Sequence, residues 1–246
     1  MLYICIPAYN EADTIGVLLW RIRKVFREYS RDYEILVYND GSTDATAEAL
    51  QPYADVVPLT VLGGTERVGY ARAVDALCRA VSARTRYPRR DAMITMQADF
   101  TDQPEHLPEL IKRFEGGADL VIGERTLPPG TPPEVKRLRW IGRFAVRAAG
   151  PLAGITDPFG SMRLYRISLI RDLLKESGES PIADGSGWIA NLNLLRRAMP
   201  NARRVETVAL EPRYDVRARE SRIRPWPDGL ALFRARRPTI ARHATP

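Results

Sequence analysis

Histidine is nearly absent from this chain of 246 residues, which contains two. A histidine-built zinc centre or a Ser-His-Asp triad is therefore not expected. Cysteine is equally scarce: Cys5 and Cys78 sit inside apolar patterns without a paired spacing, which predicts buried free thiols in a reducing cytoplasm rather than a disulfide or a metal site. No window approaches the ~18 uninterrupted apolar residues of a membrane-spanning helix. The chain enters an apolar strand within two residues of its start, so a cleaved signal peptide is not expected either. No internal repeat and no heptad run is present, which sets aside solenoids and coiled coils.

What is present is a globular composition, 45% hydrophobic and 27% charged, at a length near the upper end for one domain. One domain with a tail is the expectation. The formal net charge of +7 comes almost wholly from arginine. Such a balance favours nucleotides, phosphorylated lipids or an anionic membrane surface as partners. Nucleic acid is not expected, because few aromatic platforms interleave with the basic residues.

The hydrophobic pattern predicts alternating strands and helices. Leu2 to Ile6 reads as a buried strand ended by Pro7, and Ala8 to Glu11 as a polar turn. Asp13 or Thr14 is then placed to cap a helix whose apolar positions are Ile15, Leu18, Leu19, Ile22, Val25 and Phe26. A second strand, Tyr33 to Tyr38, stops at Asn39-Asp40-Gly41-Ser42-Thr43-Asp44 and leads into a helix, Ala45 to Leu50. A third strand is expected at Val56 to Val61, followed by a glycine-containing loop with Arg67 and a periodic helix from Tyr70 to Ala83. Ala92 to Met96 delivers an acidic turn with Asp99 and Asp102, and a helix-like segment runs from His106 to Phe114. Carboxylates at the end of a buried strand are poorly placed for stability, but they stand where open α/β sheets bind ligands.

Another strand, Asp119 to Gly123, precedes a proline-rich loop from Leu127 to Pro133 and a basic amphipathic segment from Lys136 to Arg147. After it come a turn and strand over Asp157 to Arg166, helices over Ile167 to Leu174 and around Trp188, a strand from Val205 to Leu210, and an arginine-rich tail. The alternation implies an α/β fold with a mostly parallel sheet flanked by helices.

Several loops in this order carry a resemblance. They are Ile6-Pro7-Ala8-Tyr9-Asn10-Glu11, then Asn39 to Thr46, Gln97 to Glu105, Ala118 to Arg125, and Asp157 to Arg166. On these residues the chain resembles the family 2 glycosyltransferases of the GT-A (Rossmann-like) fold, and within them the dolichol-phosphate mannose synthase and bactoprenol glucosyltransferase group. The resemblance implies a single GT-A domain over residues 1–213, with a nucleotide-sugar half at about 1–126, an acceptor half at about 127–213 and a basic C-terminal extension at 214–246. It implies an inverting transfer of a hexose from a UDP- or GDP-sugar to a polyprenyl phosphate. The protein would then be cytoplasmic or peripheral at the inner face of the membrane, and self-association stays open.

The same resemblance assigns Pro7, Tyr9, Glu11, Asp40 and Arg67 to the nucleotide, with Gln97, Ala98 and Asp99 at the diphosphate. A divalent cation, Mg or Mn, is implied at Asp99 with Gln97 and Thr101, since hard oxygen ligands and a substrate phosphate suit such ions. Arg125, Arg139, Arg163, Arg213 and Arg217 are implied for the acceptor phosphate, whose oxygens suit guanidinium forks. Catalytic roles fall to Asp99 and Arg125, and Asp184 is the one candidate base. The pattern departs from the family at Gln97, where the first acid of the Asp-x-Asp element is missing. Three readings stay open: Asp99 still holds the cation, arginines replace it, or the chain is a silent nucleotide-sugar binder. A soluble transferase acting on a small-molecule or cell-surface hydroxyl is the further alternative. Gln97→Asp is expected to tighten Mn2+ binding, measured by titration of the metal; an unchanged affinity would contradict the implied cation site.

Overall fold

Seven strands form one sheet in the order β3-β2-β1-β4-β6-β5-β7. They are β1 (Leu2–Ala8), β2 (Tyr33–Asp40), β3 (Leu59–Gly64), β4 (Ala92–Thr95), β5 (Leu120–Arg125), β6 (Arg163–Arg166) and β7 (Val205–Leu210). Every neighbouring pair is parallel except those of β6, which runs antiparallel between β4 and β5. The computed structural model describes residues 1–126, 154–185 and 187–211, with positions 131, 133, 136, 137, 140 and 152. Arg139, Arg213 and Arg217, most of the basic segment at 136–147 and of the proline-rich loop at 127–133, and the extension at 214–246 lie outside the described residues.

Helices α1 (Ala12–Glu28), α2 (Thr46–Leu50), α3 (Tyr70–Arg84), α4 (Leu107–Glu115), α5 (Ile167–Ser177) and α6 (Trp188–Ala198) supply the crossovers and flanks. The six apolar positions of α1 named from the sequence are all buried, with Ile15, Leu18, Leu19 and Ile22 fully so. Burial of each side chain contributes about 1.5–3 kcal/mol, enough to fix this helix on the sheet without help from propensity. Two apolar layers result. One packs α1 and α4 against one side of β1, β2 and β4. The other packs α3, α5 and α6 against the opposite side.

Three boundaries differ from the sequence reading for physical reasons. Pro7 does not end β1, which pairs with β2 through Ala8. The Cys5 carbonyl accepts from the Met96 amide on the β4 side. By the two-residue repeat Pro7 also faces that side, where β4 has already ended, so its missing N–H removes no ladder bond. The third strand begins at Leu59 rather than Val56, because the amides of Val56 and Val57 close the preceding turn on the Tyr53 carbonyl. Finally, neither Asp13 nor Thr14 caps α1, which starts at Ala12 without a side-chain cap of its own.

The cap comes from elsewhere in the chain. Asp44 Oδ2 accepts the Ala12 amide at 3.2 Å, and Thr46 Oγ1 accepts the Glu11 amide at 2.9 Å while donating to Asp44. Two orphan donors at the start of α1 are thereby satisfied from the loop after β2. Thr46 is fully buried. Thr46→Val keeps its shape but strands the Glu11 N–H, which is expected to cost about 1–3 kcal/mol in chemical denaturation. A stability within about 0.5 kcal/mol of the parent would contradict this tertiary cap.

Candidate active site

The sheet order changes direction at β1. The chain proceeds outward to β2 and β3, then returns to the other side of β1 to lay down β4. Loops leaving the carboxyl ends of β1, β2 and β4 therefore meet at the switch point where open α/β sheets bind ligands.

The first two loops are laced together. Asn10 takes a left-handed conformation at φ 54°, and its Oδ1 accepts the Thr43 amide at 2.8 Å while its own amide donates to Ser42 Oγ at 3.0 Å. Burial works against ionisation of Asp44, yet hydrogen bonds from the Thr46 hydroxyl and from the Ala12 and Thr46 amides hold its carboxyl below the usual range. Glu11 is buried and accepts the Thr14 hydroxyl at 3.1 Å. Pro7 is half-buried at the end of β1.

Asp40 organises the third loop. Its Oδ1 accepts the amides of Val68 at 2.6 Å and Gly69 at 3.0 Å, and Arg67 Nε lies 3.9 Å from Oδ2. Gly41, at φ 64°, permits the approach: a Cβ there would sit 2.7 Å from the Arg67 backbone nitrogen. The Arg67 guanidinium stacks 3.8 Å from the centre of the Tyr9 ring. Tyr9, Asp40 and Arg67, assigned separately to the nucleotide, thus form one cluster, with an aromatic face, a planar cation and a buried carboxylate.

The acidic turn closes on itself. The Gln97 amide donates to Asp102 Oδ2 at 2.9 Å, and Ser161 Oγ donates to the same oxygen at 2.6 Å. Asp99 accepts the Thr101 amide at 3.1 Å. Phe100 stands between them at φ 60°, a strained conformation for a bulky residue that recurs at binding sites. Helix α1 braces the turn from outside: Arg21 forks onto Glu105 at 3.0 and 2.7 Å, donates to Gln103 Oε1 at 2.7 Å, and lies over the Phe100 ring. Ala98, Asp99, Thr101 and Asp102 are all buried, and Gln97 is half-buried. Desolvation pushes the Asp102 carboxyl up; the Arg125 charge and the Ser161 and Gln97 hydrogen bonds oppose it, while the Asp99 charge adds to it.

Two buried oxygens in this turn, Thr101 Oγ1 and Asp102 Oδ1, have no hydrogen-bond partner among the described residues. Orphaned hard oxygens beside a buried carboxylate fit Mg2+ or Mn2+. Among the described residues no group of three or more His, Cys, Asp or Glu side chains is arranged to hold an ion. An ion held by this turn would need oxygens from a ligand or water besides those of the turn.

Where the resemblance implies an acceptor, Arg125 Nε pairs with Asp157 at 3.1 Å, with the arginine side chain 15% exposed and the aspartate 2%. Arg163, implied by the resemblance to face the acceptor, is a correction: it is 1% exposed and donates to the carbonyls of Asn191 and Pro158. Its charge holds the 157–163 turn against α6. Asp184, the candidate base, is exposed ahead of α6 and accepts from Asn193 at 2.6 Å. The sequence reading gave no role to Ser161, Tyr70 or Asn191. The Tyr70 hydroxyl donates to Asn191 Oδ1 at 2.9 Å, and burial followed by the Asp102 charge raises its pKa. Asn191 also reaches the Phe159 carbonyl at 3.2 Å, which ties α3, α6 and the 157–163 turn together behind the acidic turn. A polar residue at an inward position of α6 was the one available signal.

Comparison with known proteins adds a family. The description Glycosyl transferase family 2 matches residues 3–174. An undecaprenyl-phosphate mannosyltransferase of Micrococcus luteus is 32% identical over 180 residues, covering 71% of this chain and 70% of the relative. An undecaprenyl-phosphate 4-deoxy-4-formamido-L-arabinose transferase of Pseudomonas fluorescens is 34% identical over 48% of this chain. The chain spans about half or less of the transferases of that name, 33% in this case and 50% in that from Edwardsiella ictaluri. Among solved structures, glucosyl-3-phosphoglycerate synthase from Mycobacterium tuberculosis, in complex with Mn2+, uridine diphosphate and phosphoglyceric acid, superposes with a TM-score of 0.64. It is 18% identical, with 95% of this chain and 75% of that one covered, a likeness of fold.

Asp40→Asn tests the third loop. Loss of the charge-assisted acceptor is worth about 1.5–3 kcal/mol, so hydrogen exchange at the Val68 and Gly69 amides is expected to accelerate by tenfold or more. Unchanged protection would contradict the role of Asp40 as organiser of that loop.

Proposed function

The chain belongs to glycosyl transferase family 2, and from that premise we propose that it transfers a hexose, with inversion, from a UDP- or GDP-sugar to a polyprenyl phosphate. The observation that carries this reading is the meeting of the Tyr9–Asp40–Arg67 cluster with the acidic turn at one switch point. The first offers what a nucleoside needs, a ring to stack on and a carboxylate for a base N–H. The second offers what a diphosphate and its cation need. Relatives named for undecaprenyl phosphate support the acceptor.

The residues divide the work. Tyr9, Asp40 and Arg67 hold the base and ribose, with Pro7 and Glu11 shaping the loop beneath. Gln97, Ala98 and Asp99 line the diphosphate. Asp99, with oxygens of Thr101 and Gln97, would hold Mg2+ or Mn2+, which supplies positive charge against the leaving diphosphate. Arg125, fixed by Asp157, presents its guanidinium to the acceptor phosphate, with Arg139, Arg213 and Arg217 as further candidates. A phosphate oxygen attacks the anomeric carbon from the face opposite the nucleotide. The new C–O bond forms as the bond to the β-phosphate breaks, and its electron pair leaves on the nucleoside diphosphate. The nucleophile is already ionised, so no strong base is required. A hydroxyl acceptor would need one, and Asp184 is the candidate.

Among the described residues no helix is long and apolar enough to cross a membrane. The test supplies labelled UDP- and GDP-sugars with Mn2+ to three acceptors: polyprenyl phosphate in vesicles, a polyprenol lacking the phosphate, and small hydroxyl compounds. Label is expected only in the lipid phosphate. Transfer to hydroxyl acceptors alone would replace the acceptor assignment, and nucleotide-sugar binding without transfer to any acceptor would identify a silent binding protein.

A further inference from the structure

The acid missing at position 97 has a counterpart in space. Asp102 reaches back across the turn so that its Oδ2 lies 2.9 Å from the Gln97 amide, beside the residue whose side chain carries no charge. That oxygen also accepts the Ser161 hydroxyl at 2.6 Å, which fixes the carboxylate from the turn that precedes β6. The other oxygen, Oδ1, is fully buried and has no partner among the described residues. Asp102 as a whole is 1% exposed.

A carboxylate held on one oxygen and left bare on the other is costly in a buried site, unless a ligand completes it. Its surroundings say which ligand. The Arg125 charge offsets part of the Asp102 charge while Asp99 adds to it, and Thr101 Oγ1 is a second buried oxygen without a hydrogen-bond partner among the described residues. Two carboxylates and a hydroxyl, all hard oxygens within one turn, call for a small divalent cation. We propose that Asp102 is the second carboxylate of the cation site, supplying Oδ1 to Mg2+ or Mn2+ in place of the acid that Gln97 lacks. Ser161 is then a positioning residue that orients this ligand from behind. The proposal rests on the nucleotide-sugar reading above, since a site with two carboxylates is completed by the donor diphosphate.

The test measures Mn2+ binding directly, by electron paramagnetic resonance of the free ion, with and without UDP or GDP. It uses the chain of 246 residues and the variants Asp102→Asn, Asp99→Asn, Ser161→Ala and the double variant Gln97→Asp with Asp102→Asn. Asp102→Asn and Asp99→Asn are each expected to weaken Mn2+ by at least tenfold, while the metal-free melting temperature of Asp102→Asn holds or rises. Restoring a carboxylate at 97 in the double variant is expected to recover the affinity. Ser161→Ala keeps the ligand but loosens it, with an expected loss of about tenfold. It also serves if the Asp102→Asn variant does not fold. Affinity within twofold of the parent in Asp102→Asn, or in Ser161→Ala where Asp102→Asn does not fold, overturns the proposal. If nucleotide binding and sugar transfer persist in that case, the proposed function stands without it. A parent protein that takes up neither nucleotide nor sugar overturns the reading beneath.

Discussion

Among the described residues, four aspartates are buried at the carboxyl end of this sheet, where an unmatched charge is costly. Asp40 is met by two amides of the 65–69 loop, and Asp157 by the Arg125 guanidinium. Asp99 receives the Thr101 amide, and Asp102 the Gln97 amide and the Ser161 hydroxyl. Buried acids are tolerated only with such partners. Several of the partners come from segments distant in the chain, so satisfying the acids also fixes how the loops sit on one another. The site is thus a by-product of electrostatic necessity: the loops cannot separate without stranding a charge.

The strands and the apolar face of α1 were legible because burial imposes period two or period 3.6 on the residues, as Leu2 to Ile6 and Ile15 to Phe26 illustrate. Boundaries were less so. Val56 and Val57 have strand-like side chains, but their amides are used by a turn, a backbone matter that composition does not report. The cap on α1 was misassigned for a related reason. Asp13 and Thr14 have the right chemistry at the right place, yet Asp44 and Thr46, more than thirty residues away, reach the amides that open the helix.

The site shows the same division. Tyr9, Asp40 and Arg67 were named from three separate loops, and parallel pairing of β1, β2 and β3 brings them together. Arg163 was grouped with the acceptor arginines through the family resemblance, yet it is buried and bonded within the fold. Its neighbours in space, the carbonyls of Pro158 and Asn191, are invisible in the local sequence. Asp102 was seen as part of an acidic turn but given no task. Only the fold shows that it bends back to position 97, where a family pattern read along the chain registers nothing but a missing acid.

A single chemical logic joins these parts. On the proposed function, one cluster takes the base, the buried acidic turn the diphosphate with its cation, and the paired arginine the acceptor phosphate. The measurement that bears most directly on it is calorimetric titration of UDP and of GDP into the protein in Mn2+, repeated after EDTA. One nucleotide is expected to bind, with affinity reduced at least tenfold by the chelator. Binding that is indifferent to EDTA, or no binding of either nucleotide, would contradict it.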